Sequence, residues 1–129
     1  MSKTVRQEIL LDAPPERVYE AYMDSRKHAD FTAHGDANIS REAGGPFSCH
    51  GGEIVGRTIE TVANRRIVQA WRVAGWDEGV YSLVRIDLIP QGAKTRLVLE
   101  HGALPEGSEE HIDSGWHERY WEPLRTYLA

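Results

Sequence analysis

Apolar and polar residues alternate through the middle of the chain, between residues 38 and 101. A period of two is typical of strands with one face buried and the other in contact with water. In the segment 66–73, for example, Ile67, Gln69 and Trp71 fall on one side. This region is therefore predicted to form a β-sheet with one apolar face.

Short turns rich in Gly, Asn and Pro separate the alternating segments, so successive strands are expected to pair as antiparallel hairpins. The predicted strands are residues 4–11, 38–41, 47–50, 54–62, 66–73, 80–89 and 94–101. The polar face carries charged side chains that can pair across strands, and Arg72 with Glu100 is one expected ion pair.

Two short helices are predicted between the first strand and the rest of the sheet, over residues 15–22 and 25–30. Asp12 lies near the expected N-cap of the first helix. Pro15 lies in its first turn, where a backbone N–H would have no helical partner.

The C-terminal segment changes to a spacing of three and four, which is typical of an amphipathic helix, here over residues 109–127. Its apolar stripe consists of Ile112, Trp116, Tyr120, Leu124 and Tyr127. Pro123 is expected to kink this helix, because it lacks an N–H and its ring clashes with the carbonyl of Arg119. The stripe is expected to cover the apolar face of the sheet.

These elements predict one α+β domain over residues 1–129. A curved antiparallel sheet follows two short N-terminal helices, and a long C-terminal helix lies across its concave face. This is the order of the helix-grip fold.

The composition narrows the classes of partner. The 129 residues carry a formal net charge of −5, and an acidic surface repels phosphates, so no nucleic-acid partner is expected.

One cysteine, Cys49, excludes an intramolecular disulfide and fits a reducing compartment. Residues 1–6 are polar, unlike a signal peptide, and no run approaches the roughly 18 apolar residues of a membrane span. A cytoplasmic protein without membrane insertion is expected.

Several motifs carry a resemblance to a known family. They are Gly44-Gly45-Pro46-Phe47, Gly51-Gly52, Gly56, Ile67-Val68-Gln69-Ala70-Trp71-Arg72, Trp76, Gly79, Thr95-Arg96-Leu97, Glu100-His101, Gly115-Trp116 and Tyr120-Trp121-Glu122-Pro123-Leu124. Together they resemble the C-terminal-domain family of the activator of the heat-shock-protein-90 ATPase. That family belongs to the START-like (SRPBCC), birch-pollen-allergen-like superfamily. The resemblance covers residues 4–128, nearly the whole chain.

The resemblance implies a helix-grip domain with an interior cavity between helix and sheet. Stand-alone relatives are generally taken as small-molecule binders, so non-catalytic binding of an apolar or amphipathic molecule is the expected function. The eukaryotic co-chaperone has an additional N-terminal domain that engages the chaperone, for which these 129 residues leave no room. A chaperone-accessory module and a cyclase- or hydrolase-like enzyme are the alternatives.

The aromatic side chains are bulky for so small a sheet, and two interpretations stay open. The rings fill the core, or they wall an apolar cavity in which indole N–H and phenol O–H groups make the polar contacts. The cavity candidates are Tyr22, Phe31, Phe47, Trp71, Trp76, Tyr81, Val84, Leu97, Leu99, His101, Trp116 and Tyr120.

Six histidines raise the question of a metal site. His111 and His117 lack the i, i+4 spacing of a helical metal pair, and Cys49 and His50 are expected to point to opposite sides of a strand. No metal site and no cofactor is therefore predicted.

His101 is the histidine closest to a functional pattern, because it shares the inward phase of Leu97 and Leu99. A buried neutral ring with one hydrogen-bond partner is favoured over a ligand-contacting or acid–base role. The chain has no nucleophile elbow and no glycine-rich phosphate loop, so no catalytic residue is predicted.

Overall fold

The computed structural model describes residues 3–129, so Met1 and Ser2, the start of the polar N-terminal segment, lie outside the described residues. Its strands are β1 (Lys3–Leu11), β2 (Asn38–Ile39), β3 (Pro46–Cys49), β4 (Ile54–Val62), β5 (Arg66–Val73), β6 (Ser82–Gln91) and β7 (Lys94–Leu104). They form one curved, seven-stranded sheet in the order β1-β7-β6-β5-β4-β3-β2.

Every neighbouring pair of strands is antiparallel. Strands β2 to β7 follow one another as hairpins, and β1 lies beside β7 at one edge. β7 runs three residues past its predicted end, because Gly102 pairs with Leu83 and Leu104 pairs with Lys3. The predicted α+β class and antiparallel sheet are confirmed.

Helices cover one face of this sheet. They are α1 (Pro15–Met23), α2 (Ser25–Thr32), α3 (Glu109–Trp116) and α4 (Glu122–Leu128), and a π-helical turn (His117–Trp121) joins α3 to α4. We call α3, the π turn and α4 together the C-terminal helix. Within residues 3–129, no helix has the length and apolar character needed to span a membrane.

The two short helices begin in different ways. α1 starts at Pro15 with Pro14 as its N-cap and no capping side chain, so Asp12 does not cap it. In α2 the carboxylate of Asp24 accepts a hydrogen bond from the backbone N–H of Lys27 at 2.9 Å, a typical N-cap.

The concave face of the sheet is buried, as the alternation predicted. On β5, Ile67, Gln69 and Trp71 are at most 4 % exposed. The buried residues on the same face of β6 and β7 include Ser82, Val84, Ile86, Leu88, Leu97, Leu99 and His101. The C-terminal helix packs on this face and closes the core.

Beyond Tyr120 the C-terminal helix buries residues that a uniform α-helical stripe does not predict. Tyr127, predicted to face the core, is 37 % exposed. Trp121 and Leu128 are instead 1 % and 5 % exposed. The π turn causes the change, because its extra residue lets the adjacent Tyr120 and Trp121 both face inward.

The π turn also explains how the C-terminal helix accommodates a proline, Pro123, in its interior. The backbone N–H of Glu122 bonds to the carbonyl of His117, five residues back. Pro123 then lies in the first turn of α4, where its missing N–H leaves little of the hydrogen-bond ladder broken.

The expected ion pair between Arg72 and Glu100 is wrong. Arg72 donates to the carbonyls of Trp76 at 2.9 Å and Asp77 at 2.8 Å, so it holds the turn after β5. Glu100 lies on β7 opposite Arg85, and β6 separates it from β5. The alternation correctly predicted the face of the sheet on which each residue lies. It did not predict which residues are opposite each other on neighbouring strands.

We predict that Trp121→Ala lowers the free energy of unfolding by about 3–5 kcal/mol, because it empties a large buried site. Tyr127→Ala is the matched control and is expected to cost about 1 kcal/mol or less, since that ring is partly in water. Urea unfolding of both variants measures the difference. A larger loss for Tyr127→Ala would show that the helix continues without the π turn.

Candidate functional site

Tyr120, in the π turn, joins two histidines in the core. Its hydroxyl oxygen lies 3.1 Å from Nε2 of His28 and 3.0 Å from Nε2 of His50. The other ring nitrogen of His28, Nδ1, lies 2.8 Å from the carbonyl oxygen of Tyr22. All four side chains are at most 6 % exposed.

This bonding pattern determines where each proton lies. A carbonyl oxygen can only accept, so Nδ1 of neutral His28 carries the proton and its Nε2 accepts from the Tyr120 hydroxyl. The hydroxyl has only one proton, and it is used in the bond to His28. The hydroxyl oxygen therefore accepts a hydrogen bond from Nε2–H of His50. Nδ1 of His50 is then an acceptor without a proton, and it has no hydrogen-bond partner among the described residues.

Burial keeps these groups neutral. It lowers the pKa of His28 to about 4, although the bond to the Tyr22 carbonyl acts in the opposite direction. Burial also lowers the pKa of His50 to about 4, and the positive charge of Arg119 lowers it further. The pKa of the Tyr120 hydroxyl is raised well above its ordinary value, chiefly by burial, so the hydroxyl keeps its proton.

An unusual backbone conformation places His50 beneath the C-terminal helix. Its φ is 54°, in the left-handed region that residues with a Cβ rarely adopt. It begins a 3₁₀ turn (His50–Gly52) directly after β3. Because His50 is outside the strand, it and Cys49 are both buried. The prediction that they point to opposite sides of a strand is wrong.

A second network fixes His101 between sheet and helix. The indole N–H of Trp116 donates to Nδ1 at 3.0 Å, so Nε2 carries the proton and donates to Oγ of Ser82 at 2.6 Å. The Ser82 hydroxyl in turn donates to the carbonyl of Trp71 at 3.0 Å. Burial lowers the pKa of His101 to about 3. His101 is thus buried, and both of its ring nitrogens are hydrogen-bonded, whereas one partner was expected.

A partly open cleft of about 130 Å³ lies where the C-terminal helix passes the ends of β4 and β5. The first residue of β4, Ile54, pairs with the last residue of β5, Val73, and both line the cleft. The rings of Trp71 and Trp116 also line it and stack with centroids 5.7 Å apart and planes at 22°. The cleft therefore has a flat aromatic wall.

Two cleft residues contribute buried polar atoms that have no hydrogen-bond partner among the described residues. One is Nδ1 of His50, an acceptor, and the other is Nε1–H of Trp71, a donor. A buried polar group left unpaired costs about 1–3 kcal/mol. The two residues line the cleft, but these two atoms are buried behind its surface.

An ion pair lies at the solvent side of the cleft. A guanidinium nitrogen of Arg119 is 3.2 Å from a carboxylate oxygen of Glu53, and both side chains line the cleft. The two side chains are 38 % and 47 % exposed, so the pair is screened by water and contributes about 0–1 kcal/mol. Little energy opposes its opening.

Between the C-terminal helix and the centre of the sheet, side chains fill most of the space. The gap bordered by Tyr22, Ile67, Ile86, Trp121 and Leu124 is about 10 Å³. That is close to the smallest volume that holds one water molecule. The cleft at the end of the sheet, at about 130 Å³, is larger than this gap.

The structure places the predicted cavity residues in three environments. Trp71, Trp116 and Tyr120 line the cleft. The buried residues of the packed core are Tyr22, Phe31, Phe47, Val84, Leu97, Leu99 and His101. Trp76 and Tyr81 lie outside both groups.

Trp76 is half-buried in the turn after β5 and packs against the edge of the core. Tyr81 is 49 % exposed, and the guanidinium carbon of Arg72 lies 5.8 Å from its ring centroid. The interior position predicted for Tyr81 is wrong, because Ser82 faces inward at the start of β6 and its neighbour therefore faces outward.

Sequence reasoning missed ten of the thirteen residues that line the cleft. Four of these ten matter most for its shape and chemistry, namely His50, Glu53, Gly115 and Arg119. Two weak signals were present. The pair Gly51-Gly52 marks a turn that removes His50 from its strand, and Gly115 is a glycine inside a helical stripe. The remaining two residues are charged, and no pattern distinguishes them from other solvated residues.

The fold and the cleft define a helix-grip α+β protein with a small aromatic-walled site beneath its C-terminal helix. A family model described as "Activator of Hsp90 ATPase homolog 1-like protein" matches residues 12–129. The chain belongs to this family.

Curated relatives agree with this assignment. The mouse protein "Activator of 90 kDa heat shock protein ATPase homolog 2" is 29 % identical over 119 residues, which are 92 % of this chain and 36 % of that protein. The human homolog 1 is 28 % identical over 111 residues, which are 86 % of this chain and 32 % of that protein. The chain thus spans about a third of the length of these relatives.

Solved structures share the fold over nearly the whole chain. The crystal structure of an HSP90 activator from Plasmodium falciparum has a TM-score of 0.89 and 26 % identity, covering 99 % of this chain and 96 % of that chain. A Rhizobium loti protein has a TM-score of 0.82 and 25 % identity, covering 99 % and 98 %. An Aha1 dimer from Colwellia psychrerythraea has a TM-score of 0.78 at 14 % identity, covering 98 % and 93 %, and shows the fold alone.

We predict that stability falls as the pH is lowered from about 6.5 to 5. The pKa values of His28, His50 and His101 are about 4, 4 and 3 in the folded protein and ordinarily 6.5, so the unfolded chain binds protons first. Each histidine then contributes about 2 kcal/mol less to the free energy of unfolding at pH 5 than at pH 7.

Urea unfolding between pH 7 and pH 5 measures this dependence. His101→Gln is expected to be less stable and to take up about one proton fewer on unfolding near pH 5. His117→Gln, on the exposed side of the helix, is the matched control. A free energy of unfolding that does not change over this range would contradict the buried neutral histidines.

Proposed function

We propose that this chain binds a small apolar or amphipathic molecule in the cleft and does not transform it chemically. The cleft supports this proposal, because an aromatic wall with a few placed polar groups is the usual composition of a small-molecule site. Its volume of about 130 Å³ and partial opening suit a compact ligand that stays partly in contact with water. The proposed location is the cytoplasm, which the free thiol of Cys49 supports.

Gly115 gives the cleft part of its width. It lies inside α3, where glycine is less favourable than alanine by about 1 kcal/mol. A Cβ at this position would meet no atom within 4 Å, so packing does not require a glycine. Gly115 lines the cleft, and the absent side chain leaves that space free.

The chemistry of the surrounding groups supports binding without catalysis. His28 and His101 are buried with both ring nitrogens hydrogen-bonded, so neither is free to exchange a proton with a ligand. Burial raises the pKa of the Cys49 thiol to about 12, which makes it a poor nucleophile. Among residues 3–129, no group of three or more His, Cys, Asp and Glu side chains could hold a metal ion.

A pair of variants at Gly115 tests the proposal. Gly115→Met is expected to fold and to obstruct the cleft, whereas Gly115→Ala is the control and is expected to raise stability by about 0.5–1 kcal/mol. A library of small aromatic and amphipathic metabolites is screened by thermal shift. Ligands that stabilise wild type and Gly115→Ala are expected to lose at least about tenfold in affinity for Gly115→Met.

Two results would contradict the proposal. In one, no compound of the library raises the wild-type midpoint. In the other, the compounds that do so stabilise Gly115→Met equally, which would place their binding site outside the cleft.

A chaperone-accessory role is the second candidate. It is supported by the family and by the close match to almost the full crystallised chain of an HSP90 activator. Tyr81, directly before β6, and Leu83, its second residue, are 49 % and 46 % exposed and provide apolar contact area for a protein partner. Stimulation of the Hsp90 ATPase by the wild type, lost in Tyr81→Ser/Leu83→Ser and kept in Gly115→Met, would favour this role over ligand binding.

A further inference from the structure

We propose that the convex face of the sheet docks a segment of another protein in which an acidic side chain lies within a few residues of a large apolar one. This face is turned away from the C-terminal helix and the cleft. The inference therefore goes beyond ligand binding in the cleft and does not depend on it.

A small residue creates a low point on the convex face. Ala70 of β5 is paired with Arg57 of β4 on one side and with Leu83 of β6 on the other. Paired residues project from the same face of a sheet, so the short side chain of Ala70 lies between two long ones. An open groove of about 520 Å³, which we call the convex groove, includes Ala70 in its floor. The residues of this face that line it are Pro46, Val55, Arg57, Ala70 and Tyr81.

Apolar side chains that stay in contact with water border the convex groove. Tyr81 and Leu83 are 49 % and 46 % exposed, Pro46 is exposed and Val55 is half-buried. An exposed apolar patch of this kind is typical of protein interaction sites. Small-molecule sites enclose most of their ligand, so an open groove suits a protein segment better.

The positive charge beside the groove is not matched by carboxylates. Other arginines of the convex face pair with acidic side chains, and these are Arg6, Arg66, Arg85 and Arg96. Within residues 3–129, Arg57 and Arg72 form no such pair. Their guanidinium groups donate instead to backbone carbonyls, Arg57 to Gly44 at 3.0 Å and Arg72 to Trp76 at 2.9 Å.

Charge complementarity then defines the partner. A neutral carbonyl leaves the charge of the exposed Arg57 uncompensated, so this guanidinium still attracts a carboxylate. None of the groove-lining residues in the described part of the chain is acidic. The chain as a whole carries a net charge of −5, so an acidic segment is repelled by most of the surface and attracted here.

The spacing of the two contacts sets the spacing within the partner. Arg57 and Leu83 are two strands apart, which corresponds to about 10 Å. An extended chain covers that distance in about three residues. A carboxylate on Arg57 therefore allows a nearby apolar side chain of the same segment to contact Leu83 and Tyr81.

Four blocked hexapeptides test this chemistry in 1H–15N titrations at low salt, read from the amide signals of Val55, Ala70 and Leu83. The first is Gly-Leu-Glu-Leu-Glu-Gly, and the others replace both glutamates by glutamine, both glutamates by lysine, or both leucines by serine. The first peptide is expected to bind most tightly. Glutamine is expected to weaken binding about 2- to 5-fold and lysine further, whereas serine is expected to weaken it at least about tenfold.

Variants of this chain assign the two contacts. Arg57→Gln is expected to bind the glutamate and glutamine peptides equally, whereas Arg57→Lys keeps the charge and therefore the preference. Leu83→Ser is expected to weaken both peptides about 3- to 10-fold. Arg65→Gln and Val62→Ser, exposed near the end of β4, are the matched controls and are expected to bind like the wild type.

The inference is overturned if none of the peptides binds, if all four bind alike, or if the preference for glutamate survives in Arg57→Gln. It is also overturned if 3-phenylpropionate binds as tightly as the first peptide, because the groove then takes small acids. Amide shifts that depend on protein concentration alone would show that a second copy of the chain fills the groove. Gly115→Met is expected to bind the first peptide like the wild type, so this inference and the proposed function fail separately.

Discussion

A tyrosine hydroxyl carries one proton, and the arrangement around Tyr120 depends on where that proton goes. The carbonyl of Tyr22 requires a proton on Nδ1 of His28, so the hydroxyl must donate to the other nitrogen of that ring. His50 then has to donate to the hydroxyl oxygen, and its remaining nitrogen is left without a proton and without a hydrogen-bond partner among the described residues. A hydrogen bond deep in the core thereby sets the protonation of a ring that lines the cleft.

The C-terminal helix can supply this hydroxyl because it is not a uniform α-helix. The π turn before Pro123 lets Tyr120 and Trp121 face inward side by side, whereas an α-helix would turn one of them toward water. Trp121 then donates to Oε1 of Gln7 on β1 at 2.6 Å, and Gln7 donates to the Asp113 side chain at 2.7 Å. The helix is thus fixed to the edge strand on one side while Tyr120 reaches the histidines on the other.

Much of the fold could be predicted because burial imposes a period that survives in the sequence. The inward residues of β5, such as Ile67 and Trp71, were identified from alternation alone. The π turn could not be found in this way, since periodicity assumes a constant number of residues per turn. The cleft could not be predicted for another reason. It depends on a left-handed backbone at His50 and on residues from distant parts of the chain that meet only in the folded structure.

The most direct test of this account is the protonation of the His50 ring, read from long-range 1H–15N spectra of the uniformly labelled wild-type protein at pH 7. We expect a neutral imidazole with the proton on Nε2 at His50, together with a neutral ring protonated on Nδ1 at His28. A proton on Nδ1 of His50, or a charged ring at this pH, would contradict it. In that case Nδ1 of His50 would be a buried donor and not a buried acceptor.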